Sequence, residues 1–249
     1  MTLSTQGLVL HTTKYGETSV IAKVFTRQKG LCSYILKGVR SHNGRNKQNL
    51  LQPLSHLEMT VYDNSKKELQ YIKEMHPSAH YNNINNDGVK MALIFFIDEV
   101  LYKSLKEGEP NTQLFDYIVK QLQRIDSDDS NLSTMPLDVM FHTAAHLGIA
   151  PMDNYSAKRP LFNLKEGRFL PAPSPTSISD KANDDYFLDA TSSSHFHNCL
   201  SCYMSHSPMP SLSSKQRCET LNNLLEYYHI HFPDFRNFKS HEVLHSVLR

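Results

Sequence analysis

The hydrophobic pattern of this chain changes its period at about residue 82, and that change limits the possible folds. In residues 56–62, HLEMTVY, apolar and polar side chains alternate. Further on, Val89, Leu93 and Phe96 recur at steps of four and three. Alternation is typical of half-buried strands, and the longer steps are typical of amphipathic helices. We therefore predict an α+β fold in which a β region precedes a helical region.

Five short strands are predicted within residues 1–80, which we take as one domain. Their ranges are 5–13, 20–25, 31–36, 56–62 and 68–75. The second and third form a hairpin around the Thr26–Gly30 turn, because Gly30 can adopt a positive φ. Short strands separated by polar turns suit a five-stranded Greek-key barrel of the OB type. Such barrels commonly bind oligonucleotides, although a fold alone does not establish a function.

Residues 81–249 are predicted to form a helical domain with a small hairpin subdomain at about 155–180. Residues 39–48 are interpreted as a polar loop and 181–200 receive no assignment. Capping residues and Pro mark where helices begin. These residues are Asn86, Asn111, Pro136, Ser213 and Ser240.

Positive charge is concentrated in residues 14–47. This stretch carries eight Lys or Arg against a single acid, Glu17, a local balance of +7 in a chain whose total is +1. The eight are Lys14, Lys23, Arg27, Lys29, Lys37, Arg40, Arg45 and Lys47. Residues 1–80 hold 11 Lys and Arg against 5 Asp and Glu, a net of +6, whereas residues 81–249 hold 15 against 20, a net of −5. Such asymmetry indicates a nucleic-acid or anionic partner for the basic part.

Cations on a β surface, with aromatic rings between them, can follow a phosphate backbone without reading sequence. We therefore predict a DNA-binding surface formed by the eight cations and Tyr34, with Phe25 and Tyr15 as further candidates for base stacking. Two alternatives stay open. The charge is either an ordinary solvated β surface, or it serves a non-catalytic adaptor whose barrel binds an acidic protein tail.

No catalytic motif stands out in the sequence, and we predict neither a cofactor nor a metal. Cys199 and Cys202 form a C-x-x-C pair with His195, His197 and His206 nearby, the residue types that bind zinc. A second pair is absent from the sequence, so a metal hydrolase built on His195 and Cys199 is the remote alternative. Four Cys and no recognisable secretion signal favour a reducing cytoplasm.

Several stretches resemble the RecO family of bacterial DNA-repair proteins. They are YGETSVIAKVFTRQKGLCSYILKGVR at 15–40, LLQPLSHLEM at 50–59, HLGIAPM at 146–152, a helix bearing Arg217, Phe232-Pro233 and NFKSHEVLHSVL at 237–248. The resemblance implies an N-terminal OB fold and a C-terminal helical domain. It also implies a protein of the bacterial cytoplasm and nucleoid that is not an enzyme.

Further implications of the resemblance concern activity and partners. Family members bind single- and double-stranded DNA and anneal complementary strands. With RecR, and often RecF, they help to load RecA onto DNA coated by single-stranded DNA-binding protein, whose acidic tail they contact. The tail's binding site on this chain is not assigned.

One departure from the family concerns zinc. Many members carry a four-cysteine zinc site in the stretches that read DNYSAKRP and FLPAPSP here, and both stretches lack Cys. We predict that apolar contacts close this subdomain instead, through Tyr155, Phe162, Leu164 and Phe169.

Overall fold

A computed structural model describes residues 2–41, 44–63, 69–127, 130–172 and 186–248 of the chain. The chain divides into two compact units, Met1–Asp129 and Ser130–Arg249. No helix in these ranges is both long enough and apolar enough to cross a membrane.

The first unit begins with the predicted five-stranded barrel. Its strands are β1 (Thr2–Tyr15), β2 (Ser19–Thr26), β3 (Gly30–Leu36), β4 (His56–Tyr62) and β5 (Leu69–Pro77). They follow the order β1-β2-β3-β5-β4 and close back onto β1. Only the β3–β5 pairing is parallel; the other four are antiparallel. This Greek-key order confirms the predicted closed barrel.

The barrel interior is filled by the apolar member of each alternating pair. Val24 of β2, Leu57 of β4 and Tyr34 of β3 are each at most 1% exposed. Gly7 lies among them, where an added Cβ would be 2.6 Å from side-chain atoms of Met59 and Val24. Strand alternation therefore places one side chain in two in the core and leaves its neighbours for the outer surface.

Three helices accompany the barrel: α1 (Arg45–Asn49), α2 (Gly88–Ser104) and α3 (Thr112–Ser127). The polar loop predicted at 39–48 is partly wrong, because α1 occupies its end. Asp87, not Asn86, caps α2, since its carboxylate accepts bonds from the backbone N–H groups of Val89 and Lys90. Asn111 caps α3 as predicted, accepting from the N–H of Leu114.

The second unit is helical with a small sheet. Its elements are α4 (Met135–His146), β6 (Leu161–Asn163), β7 (Arg168–Leu170), α5 (Ala190–Met204), α6 (Ser214–His231) and α7 (Ser240–Val247). The hairpin and the Ser213 capping box agree with the sequence. Residues 190–200, left unassigned from sequence, are helical. Ser240 is the first residue of α7 rather than its cap, which is Lys239. The loop predicted at 171–180 lies mostly outside the described residues.

The boundary predicted at residue 80 marks the end of the barrel. The first compact unit continues to Asp129 and so includes α2 and α3. This inclusion matters for charge, because Glu107, in the segment between the two helices, and Asp116 of α3 form ion pairs with cations of the barrel.

Candidate nucleic-acid interface

One end of the barrel gathers three segments of the chain. Lys14 of β1 lies opposite Val20 of β2, and Val20 lies opposite Leu36 of β3. Lys37 follows directly. The N–H of Arg40 donates to the carbonyl of Thr18 at 2.9 Å, which ties the segment after β3 to the β1–β2 turn. The Arg40 guanidinium also donates to the carbonyl of Gly16, at 3.3 Å.

Helix α1 is held against the same end by a close backbone approach at Gly44. A Cβ added there would lie 2.2 Å from the carbonyl oxygen of Val39 and 2.4 Å from that of Gly38. No residue other than Gly fits without moving one of these segments. The approach positions Arg45 and Lys47, both exposed, beside the segment that carries Lys37 and Arg40.

Five of the eight predicted cations therefore share this end, and we call them the cation cluster. All five side chains are exposed. Within the described ranges, no carboxylate lies within 4.0 Å of any of their charged nitrogens. The five are Lys14, Lys37, Arg40, Arg45 and Lys47.

The other three are already paired with carboxylates of the same unit, and we call them the paired cations. Lys23 Nζ lies 3.2 Å from Glu107 Oε1, and Lys29 Nζ lies 3.0 Å from Asp63 Oδ2. Arg27 forms a bidentate pair through its Nε and Nη2, each 2.8 Å from an oxygen of Asp116 on α3. A phosphate would have to displace these carboxylates. The eight predicted cations therefore fall into two groups, the five of the cation cluster and the three paired cations.

The Arg27–Asp116 pair also alters the acidity of both groups. The guanidinium hydrogen bonds hold the pKa of Asp116 below its usual value, and the same bonds raise the pKa of Arg27. The carboxylate stays ionised over the neutral range. It continues to cancel the Arg27 charge there.

Tyr34, predicted as a stacking residue, is not accessible to a ligand. Its ring is 1% exposed inside the barrel, so it cannot stack on a base, and burial raises the pKa of its hydroxyl. The alternation along β3 explains this, because Tyr34 takes an inward position. Phe25 is likewise fully buried, whereas Tyr15 is 49% exposed.

Sequence reasoning missed two exposed tyrosines beside the cation cluster. Tyr62 of β4 is 47% exposed and Tyr71 of β5 is 37% exposed. The two are directly opposite each other in the β4–β5 pairing. The alternation in residues 56–62 already placed Tyr62 on the outer side, opposite Leu57 and Val61. The outward position of Tyr62 in this alternation was the feature of the sequence that indicated its exposure.

These tyrosines line an open groove of about 740 Å³, which we call the tyrosine groove. Lys37 and Lys47 of the cation cluster line it too, together with Lys73. Lys37 Nζ lies 5.5 Å from the centre of the Tyr71 ring, within cation–π range. Lys73 is weakly paired with its exposed neighbour Glu74, at 3.8 Å.

The cysteine and histidine residues of the second unit make separate contacts. Cys199 is fully buried in α5, and burial raises its pKa to about 12, which disfavours the thiolate that a metal needs. His195 bonds Gln216 at 3.0 Å, and His197 bonds Asp153 at 2.9 Å. In the part of the chain that the structure describes, no three His, Cys, Asp or Glu side chains are grouped to hold a metal.

Apolar contacts close the hairpin subdomain, as predicted. Phe162 and Phe169 are fully buried with ring centres 5.0 Å apart, and Leu164 is 6% exposed. Tyr155 is partly exposed and stacks on His197 at 4.3 Å. The Asn154 side chain bonds both backbone groups of Phe169, at 2.8 and 3.0 Å. Aromatic contacts and the hydrogen bonds of Asn154 thus hold together the stretch for which the family resemblance implied a four-cysteine zinc site.

Comparison with known proteins gives matches to two family models. "Recombination protein O N terminal" matches residues 1–81, and "Recombination protein O C terminal" matches residues 85–158. The chain belongs to the RecO family. This membership confirms the resemblance and places the chain among DNA repair and recombination proteins.

Full-length relatives agree with the family models. Proteins named "DNA repair protein RecO" from Christiangramia forsetii and Flavobacterium psychrophilum are 28% and 29% identical to this chain. A protein of the same name from Porphyromonas gingivalis is 26% identical. Each alignment covers 99% of this chain and 99% of the relative. The similarity to the RecO family therefore extends over both units.

Proposed function

We propose that this protein is a non-catalytic recombination mediator that binds single- and double-stranded DNA and anneals complementary strands. In this proposal it acts in the bacterial cytoplasm, on the nucleoid. With RecR, and with RecF where that protein takes part, it helps to load RecA onto DNA coated by single-stranded DNA-binding protein, whose acidic tail it contacts. Family membership supports the process, and the cation cluster supports the DNA contact.

The observation that carries the proposal is a set of five exposed cations at one end of an OB-type barrel, none of which is paired with a carboxylate of the described residues. Two DNA strands repel each other through their phosphates. A protein that neutralises phosphates on both strands lowers that repulsion and raises the local concentration of each strand. Base pairing then selects the complementary sequence, so the protein itself needs no base-reading side chains.

The first prediction concerns the salt dependence of binding. Replacing Lys37, Arg40 and Arg45 by Ala removes three phosphate contacts. We expect weaker binding of a labelled single strand and a flatter plot of log K against log salt concentration. The slope should fall by about 0.7 for each lost contact, or about 2 in all. Filter binding at salt concentrations from low to physiological measures this slope.

The paired cations supply a matched control. Replacing Lys23, Arg27 and Lys29 by Ala changes the net charge equally, within the same unit. Because carboxylates already occupy these three side chains, the salt slope should stay at the wild-type value. Equal slopes in wild type and in the Lys37, Arg40 and Arg45 variant would remove the cation cluster from the interface.

A second candidate function is an adaptor whose barrel binds an acidic protein tail instead of DNA. The observation in its favour is that carboxylates already pair with three cations of the same stretch, at 2.8 to 3.2 Å. Competition between an oligonucleotide and an acidic tail peptide for the wild-type protein separates the two functions. Annealing of strands precoated with the cognate single-strand binder then tests the mediator role.

A further inference from the structure

The tyrosine groove has a feature that phosphate binding alone does not require. Tyr62 and Tyr71 face outward from neighbouring strands at opposed positions, which places their side chains next to each other on one face. Val61, which precedes Tyr62 in the sequence, and Ile35 of β3, which pairs with Tyr71, are both buried. Two large rings are thus left in solvent on the barrel, where burial would have been favourable.

Cations border these rings. Lys37 Nζ lies 5.5 Å from the Tyr71 ring centre, and Lys47 and Lys73 line the same groove. Within the described residues, no carboxylate pairs with Lys37 or Lys47. A groove that offers ring faces next to free positive charge fits a strand with a negative backbone and exposed base faces.

The bases of a duplex are stacked on one another and paired, so their faces cannot reach the tyrosines. A single strand can present unpaired bases to the rings while its phosphates contact the lysines. When a base covers Tyr71, Lys37 exchanges its contact with the ring for one with a phosphate. A groove of this kind would therefore distinguish single strands from duplexes, whereas cations alone would attract both.

We propose that Tyr62 and Tyr71 form a stacking site for unpaired bases, which gives the barrel a preference for single strands over duplexes. This proposal rests on the proposed function, since it assigns the base contacts of the same DNA-binding surface. The hydroxyl groups have no part in it, because stacking uses the ring faces.

The test compares single-strand and duplex binding of the full-length protein carrying Tyr62→Ala and Tyr71→Ala together. The probes are a fluorescent oligothymidylate and a duplex of matched length. Loss of one stacked base costs about 5-fold or more in affinity, so the single strand should lose at least that factor for each tyrosine. Duplex affinity should stay within about 2-fold, and the salt slope should not change, because no phosphate contact is lost.

Two further variants keep the test decisive. Tyr62→Phe with Tyr71→Phe retains the rings and should bind single strands as the wild type does, even if the Ala variant folds poorly. Phe95→Ala removes another exposed ring of the same unit, 43% exposed on α2 and outside the groove, and should change nothing. A strand containing 2-aminopurine reports stacking directly, through a fluorescence change that the Ala variant should lose and the Phe variant should keep.

Unchanged single-strand affinity in the Ala variant, or equal losses for single strand and duplex, would overturn the stacking site. Failure of the proposed function has a different signature. In that case the wild-type protein shows no salt-dependent binding of either probe. The cation variant would then bind as the wild type does.

Discussion

At the scale of single residues, burial decides which members of the basic, aromatic stretch can meet a ligand. Tyr34 and Phe25 have the residue type expected of a stacking platform, yet both are buried. Tyr34 lies inside the barrel, and Phe25 lies on the outer face of β2, covered by Phe115 of α3 at 5.5 Å between ring centres. Tyr62 and Tyr71 lie on outward positions and are exposed. The cations differ in a similar way, because Arg27 pairs with Asp116, whereas the Arg40 guanidinium bonds the backbone carbonyl of Gly16 and no carboxylate of the described residues. Side-chain partners far away in sequence thus determine which cations stay available.

The burial of His56 leads to a prediction about how the free energy of unfolding depends on pH. Its ring is 7% exposed against Phe115, and neither ring nitrogen has a hydrogen-bond partner in the described residues. Burial lowers the pKa of His56 below its ordinary value of 6.5. The unfolded chain therefore takes up the proton first as pH falls. This contribution to the free energy of unfolding is complete above pH 6.5 and is lost between 6.5 and the folded-state pKa.

We expect His56→Phe to flatten the pH dependence of unfolding in that window. The difference in slope between wild type and variant should reach up to about 1.4 kcal/mol per pH unit. Urea unfolding from pH 5 to pH 8 measures it. Replacing the exposed His80 by Gln is the control, which should keep the wild-type slope. A variant that follows the wild-type curve throughout would contradict the assignment of a neutral, buried imidazole.

At the scale of elements, the short helix α1 determines where the cation cluster lies. The sequence predicts a loop there, because five polar residues have no apolar period. What orders them is the approach of Gly44 to the carbonyl groups of Gly38 and Val39, a tertiary contact without a local sequence signal. The hairpin of the second unit is the opposite case. It closes through Phe162 and Phe169, as expected from the absence of Cys in residues 153–160 and 169–175.

Gly44→Ala tests the role of α1 at this scale. The new Cβ would lie 2.2 Å from the Val39 oxygen, so α1 must move and carry Arg45 and Lys47 with it. We expect a loss of stability of more than about 1 kcal/mol and weaker single-strand binding. Gly88→Ala is the matched control, because nothing lies within 4 Å of its Cβ and its backbone suits Ala. That control should be neutral or stabilising by up to about 1 kcal/mol. Chemical denaturation and filter binding measure both variants.

At the scale of the whole molecule, the charge asymmetry seen in the sequence is much smaller between the two compact units. Met1–Asp129 contains 16 Lys and Arg against 14 Asp and Glu, a net of +2, and Ser130–Arg249 contains 10 against 11, a net of −1. Carboxylates such as Glu107 and Asp116 account for the change. In the proposed function, attraction to DNA therefore comes from the local cation cluster rather than from a field across the unit.

The fold was largely predictable for a physical reason, and the candidate site was not. Strand alternation and helix capping are local, so residues 56–62 match β4 and Asn111 caps α3 as expected. Ion pairing and burial depend on contacts between distant residues. Nothing near Arg27 in the sequence indicates that Asp116 binds it, and nothing near Tyr71 indicates its place opposite Tyr62.

Lysine footprinting tests whether polyanionic strands bind at the cation cluster. The full-length protein is acetylated with and without a saturating single-stranded oligonucleotide, and each lysine is quantified by mass spectrometry. We expect the oligonucleotide to protect Lys14, Lys37 and Lys47 from acetylation. The reactivity of Lys23, paired with Glu107, and of Lys215, whose side chain is 84% exposed in the second unit, should not change. Uniform protection of all five, or protection of Lys23 and Lys215 alone, would contradict binding at the cation cluster.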